Sequence, residues 1–198
     1  MKAIGLFGGS FDPVHNAHLR LATTFRDAMH LDEVWFLVTP QNPWKRDSRL
    51  SADHHRLNMV RLAVEGVAGL AASDYEFHLP LPSYTCQTLR HLRHDYPDTT
   101  FTLLVGGDNW EAFDHWAEHE EILKHHTVAV YPRPGHAVAT PRSIAEKGWK
   151  PVILQAQQIN ISSTEIRKRC HDGDGDFARL VHPAVAEYIR QNGLYSSF

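Results

Sequence analysis

The stretch Ala3-Ile4-Gly5-Leu6-Phe7-Gly8-Gly9-Ser10-Phe11-Asp12-Pro13-Val14-His15-Asn16-Ala17-His18-Leu19 runs from an apolar segment through paired glycines into a segment of helical spacing. Paired glycines after a strand let the backbone pass close to a ligand where a side chain would collide, and leave peptide N–H groups to face it. Phosphate is the anion that such a turn suits. If the following segment is helical, residues three apart share a face, so His15 and His18 project together near a helix N-terminus, where the macrodipole already favours anions. Two imidazoles there can donate hydrogen bonds to phosphate oxygens. Pro13 suits a first-turn position because it lacks the N–H that would be orphaned there, and Asp12 suits a cap or brace of the turn. A Gly-Gly turn is equally the joint of an ordinary strand-to-helix connection, so by itself the stretch leaves both readings open.

Outward from it, apolar runs and helical patterns take turns. Ala3 to Phe7, Glu33 to Val38, Phe101 to Val105, Thr127 to Tyr131 and Val152 to Leu154 read as strands. Leu19 to Met29, Asp53 to Val67, Tyr84 to His94, Ser163 to Cys170 and Pro183 to Gln191 read as helices. The alternation predicts an α/β fold: a Rossmann-like doubly wound, mostly parallel sheet with helices on both faces and a small C-terminal helical part. Its crossovers are right-handed and its ligands sit at the carboxyl ends of the strands. The stretch from Arg133-Pro134-Gly135 to Pro151 reads as a mobile excursion of no legible function.

At 198 residues the chain suffices for one substantial core and is short for two, so 1–198 is read as a single domain. A formal net charge of -3 and a pI near 6.6 argue against a general nucleic-acid binder, whereas a small anion needs only a local basic cluster. No apolar stretch approaches the length of a membrane span, and Met1-Lys2-Ala3-Ile4 leads into a strand-like run rather than a signal peptide, so a cytoplasmic protein without membrane partners is expected. Cys86 and Cys170 give no disulfide framework and read as buried thiols. The 15 histidines include His54-His55, His91 with His94, and His125-His126, yet no Cys-x-x-Cys accompanies them, and a solvated role outweighs a metal site.

Gly8-Gly9-Ser10-Phe11-Asp12-Pro13-Val14-His15-Asn16-Ala17-His18-Leu19 resembles the signature of the nucleotidyltransferases whose motif reads His-x-Gly-His, with Ala17 where glycine is usual. Ile161-Ser162-Ser163-Thr164-Glu165-Ile166-Arg167 is similar to the Ile-Ser-Ser-Thr-x-x-Arg element that the same superfamily places across the triphosphate. Within it the resemblance is to the bacterial nicotinate mononucleotide adenylyltransferases, and it covers nearly the whole chain. Pro43-Trp44-Lys45 resembles their Pro-Pro-His-Lys element, with Trp44 in place of histidine. Pro82-Ser83-Tyr84-Thr85-Cys86-Gln87-Thr88-Leu89 resembles their Pro-Ser-Tyr-Thr-x-x-Thr-Leu segment. Gly106-Gly107-Asp108, with Phe113 and Trp116 after it, resembles their Gly-x-Asp loop and pyridine-stacking aromatic. His182-Pro183 through Tyr188-Ile189 and Gly193-Leu194-Tyr195 resemble their final helix and tail.

The resemblance implies an enzyme that joins ATP to nicotinate mononucleotide, giving nicotinate adenine dinucleotide and pyrophosphate in NAD biosynthesis. The implied catalytic set is His15, His18, Lys45 and Arg167. ATP would lie on Gly8, Gly9, Ser10, Phe11, His15, His18, Gly106, Asp108, Ile161, Ser163 and Arg167. Asp108, at the end of the Phe101 to Val105 strand, suits a ribose hydroxyl, which is favoured, an outer-sphere metal water, or a plain helix N-cap. The mononucleotide would lie on Lys45, Tyr84, Thr85 and Trp116. Mg²⁺ is the implied cofactor, bridging phosphate oxygens and water with few protein ligands. Two other readings stand beside this one: a related adenylyltransferase for nicotinamide mononucleotide or phosphopantetheine, and a nucleotide sensor without turnover. A homo-oligomer is compatible with the sequence, which does not fix the state.

Overall fold

A computed structural model describes residues 1–40, 50–132, 138–156 and 159–196. Six strands, β1 (Lys2–Gly9), β2 (Glu33–Val38), β3 (Leu70–Ser73), β4 (Thr99–Gly106), β5 (Thr127–Tyr131) and β6 (Val152–Ile153), form one sheet in the order β3-β2-β1-β4-β5-β6. Every pairing is parallel, with Leu6 of β1 opposite Trp35 of β2 and Leu103 of β4. The described helices are α1 (Asn16–Ala28), α2 (Asp53–Val64), α3 (Thr85–Asp95), α4 (Gly107–Glu111), α5 (His119–His125), α6 (Arg142–Ala145), α7 (Ser163–His171) and α8 (Pro183–Gln191). Strand order reverses between β1 and β4, and there the chains leaving the two strands turn to opposite faces. A ligand crevice is expected at that point, beyond the carboxyl ends.

Side-chain alternation separates the two cores, because successive residues of a strand point to opposite faces. Phe7 of β1, Val34, Phe36 and Val38 of β2, Leu104 of β4 and Ala129 of β5 pack with α1, α2, α7 and α8. Ile4 and Leu6, Phe101, Leu103 and Val105, and Val128 and Val130 pack on the other face with α3 to α6. At Gly5 a β-carbon would stand 2.4 Å from Phe25 of α1, so glycine lets the helix lie flush on the central strand. No helix among the described residues is long and apolar enough to cross a membrane.

The predicted α/β architecture is the observed one, with differences at its boundaries. The expected helix from Asp53 ends at Val64 rather than Val67, since Gly66 takes the left-handed conformation at φ 73°. Four elements were not expected from the sequence: β3, the four residues Leu-Ala-Ala-Ser without a β-branched side chain; α4, a five-residue helix directly after β4; α5, whose buried face is Ile122 alone; and α6, inside the expected excursion. Residues 133–137 of that excursion lie outside the described residues.

Candidate active site

The turn after β1 is built from the inside. A β-carbon at Gly8 would meet nothing within 4 Å, so this position faces open space, whereas one at Gly9 would stand 3.0 to 3.3 Å from the Phe11 ring. Packing against the Phe11 ring thus disfavours a side chain at Gly9, whereas Gly8 borders open space. Phe11 holds a left-handed backbone at φ 49°, strain that its buried ring offsets by edge and tilted contacts with Phe7 and Phe36 at 5.4 and 5.3 Å. Beneath the turn lies Arg56 of α2, 0% exposed. Its guanidinium donates to the carbonyls of Ser10 (2.7 Å), Thr39 (2.9 Å), Ser51 (3.0 Å) and Pro40 (3.4 Å), and to Asp53 (2.5 Å). The C=O and N–H of a trans peptide point in opposite directions. With the Ser10 carbonyl held inward by Arg56, the Phe11 N–H is aimed out of the core.

The two histidines meet, though not as the helical spacing suggested. α1 begins at Asn16; His15, extended at φ -144° and ψ 170°, is its N-cap, and Pro13 therefore sits in the turn rather than in the first helical turn. The His15 N–H donates to Nδ1 of His18 at 3.2 Å, and the rings stack with centroids 3.6 Å apart. Because Nδ1 accepts that bond, the proton of the neutral His18 ring sits on Nε2, making it a donor. Phe7 and Phe11 meet the His18 ring edge-on at 5.8 and 5.2 Å and fix its plane.

The C-terminal signature docks on this turn. Ser162 caps α7 by accepting from the Glu165 N–H at 3.1 Å. Ser163 Oγ donates to the Pro13 carbonyl at 2.9 Å, and Arg167 donates to the Asp12 carbonyl at 2.7 Å and to Thr164 Oγ1 at 3.2 Å. The Ser163 hydroxyl proton is thereby committed, so toward an anion this residue offers its backbone N–H. Asp12, 1% exposed, braces rather than caps: Tyr195 OH donates to Oδ1 at 2.6 Å and the Ser51 N–H to Oδ2 at 3.1 Å. Burial and then the Asp12 carboxylate push the Tyr195 hydroxyl up, which keeps it a donor. Arg56, Ser51 and Tyr195 were not singled out as site residues from sequence. The available cue was a charged Arg56 among the apolar Leu57, Met59 and Val60 of α2.

Beyond β4, Gly106 is the N-cap of α4, and Asp108 falls in the first turn of that helix. Trp110, Phe113 and Trp116 form a row of tilted rings, each 4.9 Å from the next, which orients Trp116. Tyr84 is the N-cap of α3 and Thr85 its first residue; Tyr84 and Trp116 pack against the same apolar cluster. Here the Ser83 hydroxyl and Trp110 Nε1 are buried without a hydrogen-bond partner among the described residues. Ile161 directly precedes the α7 cap. Trp44 and Lys45 lie outside the described residues. Burial pushes both thiols up, Cys170 to about 11, so neither is an activated nucleophile. Among the described residues no three His, Cys, Asp or Glu side chains are grouped to hold a metal ion.

A parallel sheet with a glycine turn, a paired histidine motif and an arginine-bearing helix meeting at its switch point defines a nucleotidyltransferase. A family model described as cytidylyltransferase-like matches residues 6–169. A Bacteroides fragilis protein named "probable nicotinate-nucleotide adenylyltransferase" is 44% identical over 190 residues, 94% of this chain and 90% of that one. A Flavobacterium johnsoniae protein of the same name is 39% identical over 97% of this chain and 98% of its own. The chain belongs to the nicotinate-nucleotide adenylyltransferase family. In fold it is similar to the Plasmodium falciparum nicotinic acid mononucleotide adenylyltransferase solved with NaAD, at a TM-score of 0.81 and 24% identity over 99% of this chain and 98% of that one.

Proposed function

We propose that this chain transfers AMP from ATP to nicotinate mononucleotide, releasing pyrophosphate. The observation that carries the reading is the convergence of the Gly8–Phe11 turn, His18 and Arg167 on one end of β1, at the switch point beside β4.

The 5'-phosphate oxygen of the mononucleotide attacks the α-phosphorus of ATP in line; the P–O bond to pyrophosphate breaks, and its electron pair leaves with pyrophosphate. The nucleophile is already anionic, so no general base is needed. Catalysis consists of holding two polyanions together and stabilising charge that migrates to the leaving group. The Phe11 N–H and the α1 and α7 N-termini receive the triphosphate, His18 donates through Nε2 at the α-phosphate, and Arg167 presents the remaining N–H groups of its fork. His15 orients His18. Lys45 is the further cation assigned to the phosphates. Asp108 accepts from a ribose hydroxyl, Trp116 stacks on the pyridine, and Thr85 with the first N–H groups of α3 takes the nicotinate carboxylate, the Ser83 hydroxyl lying beside them. An amide in that position would oppose one of these donors with its own NH₂, which disfavours the nicotinamide form.

Mg²⁺ fits this arrangement as a passenger of ATP. The donors around the turn are N–H groups and a guanidinium, which complement phosphate oxygens, and both Asp12 oxygens already accept hydrogen bonds. Bound to the phosphates and water, the ion would neutralise charge on the triphosphate.

The test is pyrophosphate release with ATP and Mg²⁺, offering nicotinate mononucleotide, nicotinamide mononucleotide and phosphopantetheine in parallel. Preference for the nicotinate form is expected. Release only with another acceptor would move the substrate, and no release with any would leave a sensor.

A further inference from the structure

Glu76 lies in the 3₁₀ turn Tyr75–His78, between β3 and α3, and is 4% exposed. The reaction described above gives it no task. Its Oε1 is 2.9 Å from Oγ1 of Thr88, one turn into α3, and the same hydroxyl is 3.3 Å from the Tyr84 carbonyl. Among the described residues its Oε2 has no hydrogen-bond partner within bonding geometry. A hydroxyl has a single proton, and the Tyr84 carbonyl can only accept. If Glu76 were ionised, Thr88 would have to give that proton to Oε1 and turn from the Tyr84 carbonyl, and the buried carboxylate would be held, among the described residues, by the Thr88 and Thr39 hydroxyls with no cation. If Glu76 is a carboxylic acid, its O–H donates to Thr88 Oγ1, the Thr88 O–H donates to the Tyr84 carbonyl, and every proton has a place.

Surrounding charge agrees with the second arrangement. Asp74 pairs with Arg61 of α2 and with His78, and Asp95 of α3 takes the Tyr75 hydroxyl and His94, so neighbouring charges are engaged with one another. Among the described residues no cation pairs with Glu76; burial pushes its carboxyl up, and the Thr88 and Thr39 hydroxyls offset only part of that.

We infer that Glu76 is a positioning residue for the acceptor: as a neutral acid it fixes Thr88 and, through Thr88, the first turn of α3, whose N–H groups face the nicotinate carboxylate. This rests on the proposed reaction and deepens it. The acid form performs two tasks. It locks the helix end through a donor that a carboxylate lacks, and it puts no negative charge beneath a bound carboxylate.

Two variants of the full chain separate these roles. Glu76→Gln keeps the shape, stays uncharged and can donate from its amide to Thr88; Glu76→Met keeps the bulk and loses the tether. The expected result is a KM for nicotinate mononucleotide within about 3-fold of wild type in Gln and raised at least about 10-fold in Met, with KM for ATP within about 2-fold in both. Thr88→Val is expected to repeat the Met result and serves if Met does not fold. Four outcomes overturn the inference. They are Gln failing like Met, which would mean a carboxylate is needed; wild-type behaviour in Met; wild-type behaviour in Thr88→Val; and equal losses toward ATP and acceptor, the mark of general destabilisation. Wild-type turnover, measured first, tests the reaction by itself. If it is absent, the same comparison is read from quenching of tryptophan fluorescence by nicotinate mononucleotide.

Discussion

Replacing Arg56 with methionine removes a cation that no water reaches and orphans the carbonyls it holds. Three of its backbone acceptors, on Ser10, Thr39 and Ser51, lie within 3.0 Å and are bound where the guanidinium itself is fully buried. Each buried carbonyl left unpaired costs about 1 kcal/mol or more, and removing one partner of a buried charged network costs about 3 to 5 kcal/mol, so the two estimates agree on at least about 3 kcal/mol. The Asp53 side chain is 50% exposed and resolvates, so its share is small. For a chain of this size 1 kcal/mol moves Tm by about 2 to 4 °C, so the loss is about 6 to 20 °C by calorimetry or circular dichroism. The second consequence is functional: with the Ser10 carbonyl released, its peptide can rotate and turn the Phe11 N–H away from the phosphates. KM for ATP should therefore rise even at temperatures where the variant is fully folded. Arg56→Lys retains the charge but has three donors for five acceptors and should fall between the two. Arg61→Ala, which removes an exposed pair with Asp74, is the control and should stay within about 0.5 kcal/mol of wild type. An Arg56→Met variant melting within about 2 °C of wild type would refute this account of the buried guanidinium.

Further outcomes follow from the same geometry. Arg167→Ala should lose about 2 to 4 kcal/mol of transition-state stabilisation, roughly 30- to 1,000-fold in kcat/KM, and unchanged turnover would reject its place on the phosphates. Tyr195→Phe removes a donor to a buried carboxylate and should cost about 1.5 to 3 kcal/mol in urea unfolding; no shift in midpoint would mean that the tail does not brace Asp12. Gly8→Ala should leave Tm unchanged and raise KM for ATP, whereas Gly9→Ala should lower Tm through its contact with Phe11; equal effects on Tm would contradict the division between ligand space and packing. The Glu76 carboxyl is raised above its ordinary 4.5, so the stability linked to its neutral form is complete below that pH and is lost as pH rises through the folded value. Glu76→Gln should thus match wild type in Tm below about pH 4.5 and gain on it increasingly above, and a difference constant from about pH 4 to 9 would count against a raised carboxyl.

The architecture was legible where burial on both faces forces a continuous apolar run, as in Glu33–Val38 and Thr127–Tyr131, whose predicted and observed ends coincide. It was not legible in β3, an edge strand of small residues that owes its conformation to pairing with β2 rather than to its own preference. The site divides in the same way. Glycines and histidines that act through local backbone geometry announce themselves within a dozen residues. Arg56 and Tyr195 act on partners 46 and 183 positions away, and nothing in their own neighbourhoods encodes a contact that exists only after the chain has folded. Even the His15–His18 meeting, expected from spacing, is achieved by a capping residue bonding to the first helical turn rather than by two residues on one helical face.

The proposed reaction brings together two anions, and at an effective dielectric of about 20 two unit charges about 4 Å apart already repel by about 4 kcal/mol. A protein that joins them needs more than cations; it must also keep its structural acids from adding to that repulsion. The two carboxyls buried near the site are handled differently. Asp12 receives a hydrogen bond at each oxygen, from the Tyr195 hydroxyl and the Ser51 amide, while Arg167 holds its carbonyl. Glu76, with no cation beside it among the described residues and its carboxyl pushed up by burial, is accommodated by giving up its charge. On the triphosphate side the buried ion is instead a guanidinium, under the turn whose N–H faces outward. Arg167 belongs to the same scheme through direction as well as charge: two of its N–H groups are spent on Asp12 and Thr164, which sets the plane in which the rest of the fork meets phosphate. A lysine at this position would restore the charge without that plane, so Arg167→Lys should recover only part of what Arg167→Ala loses, with the shortfall in kcat rather than in KM for ATP.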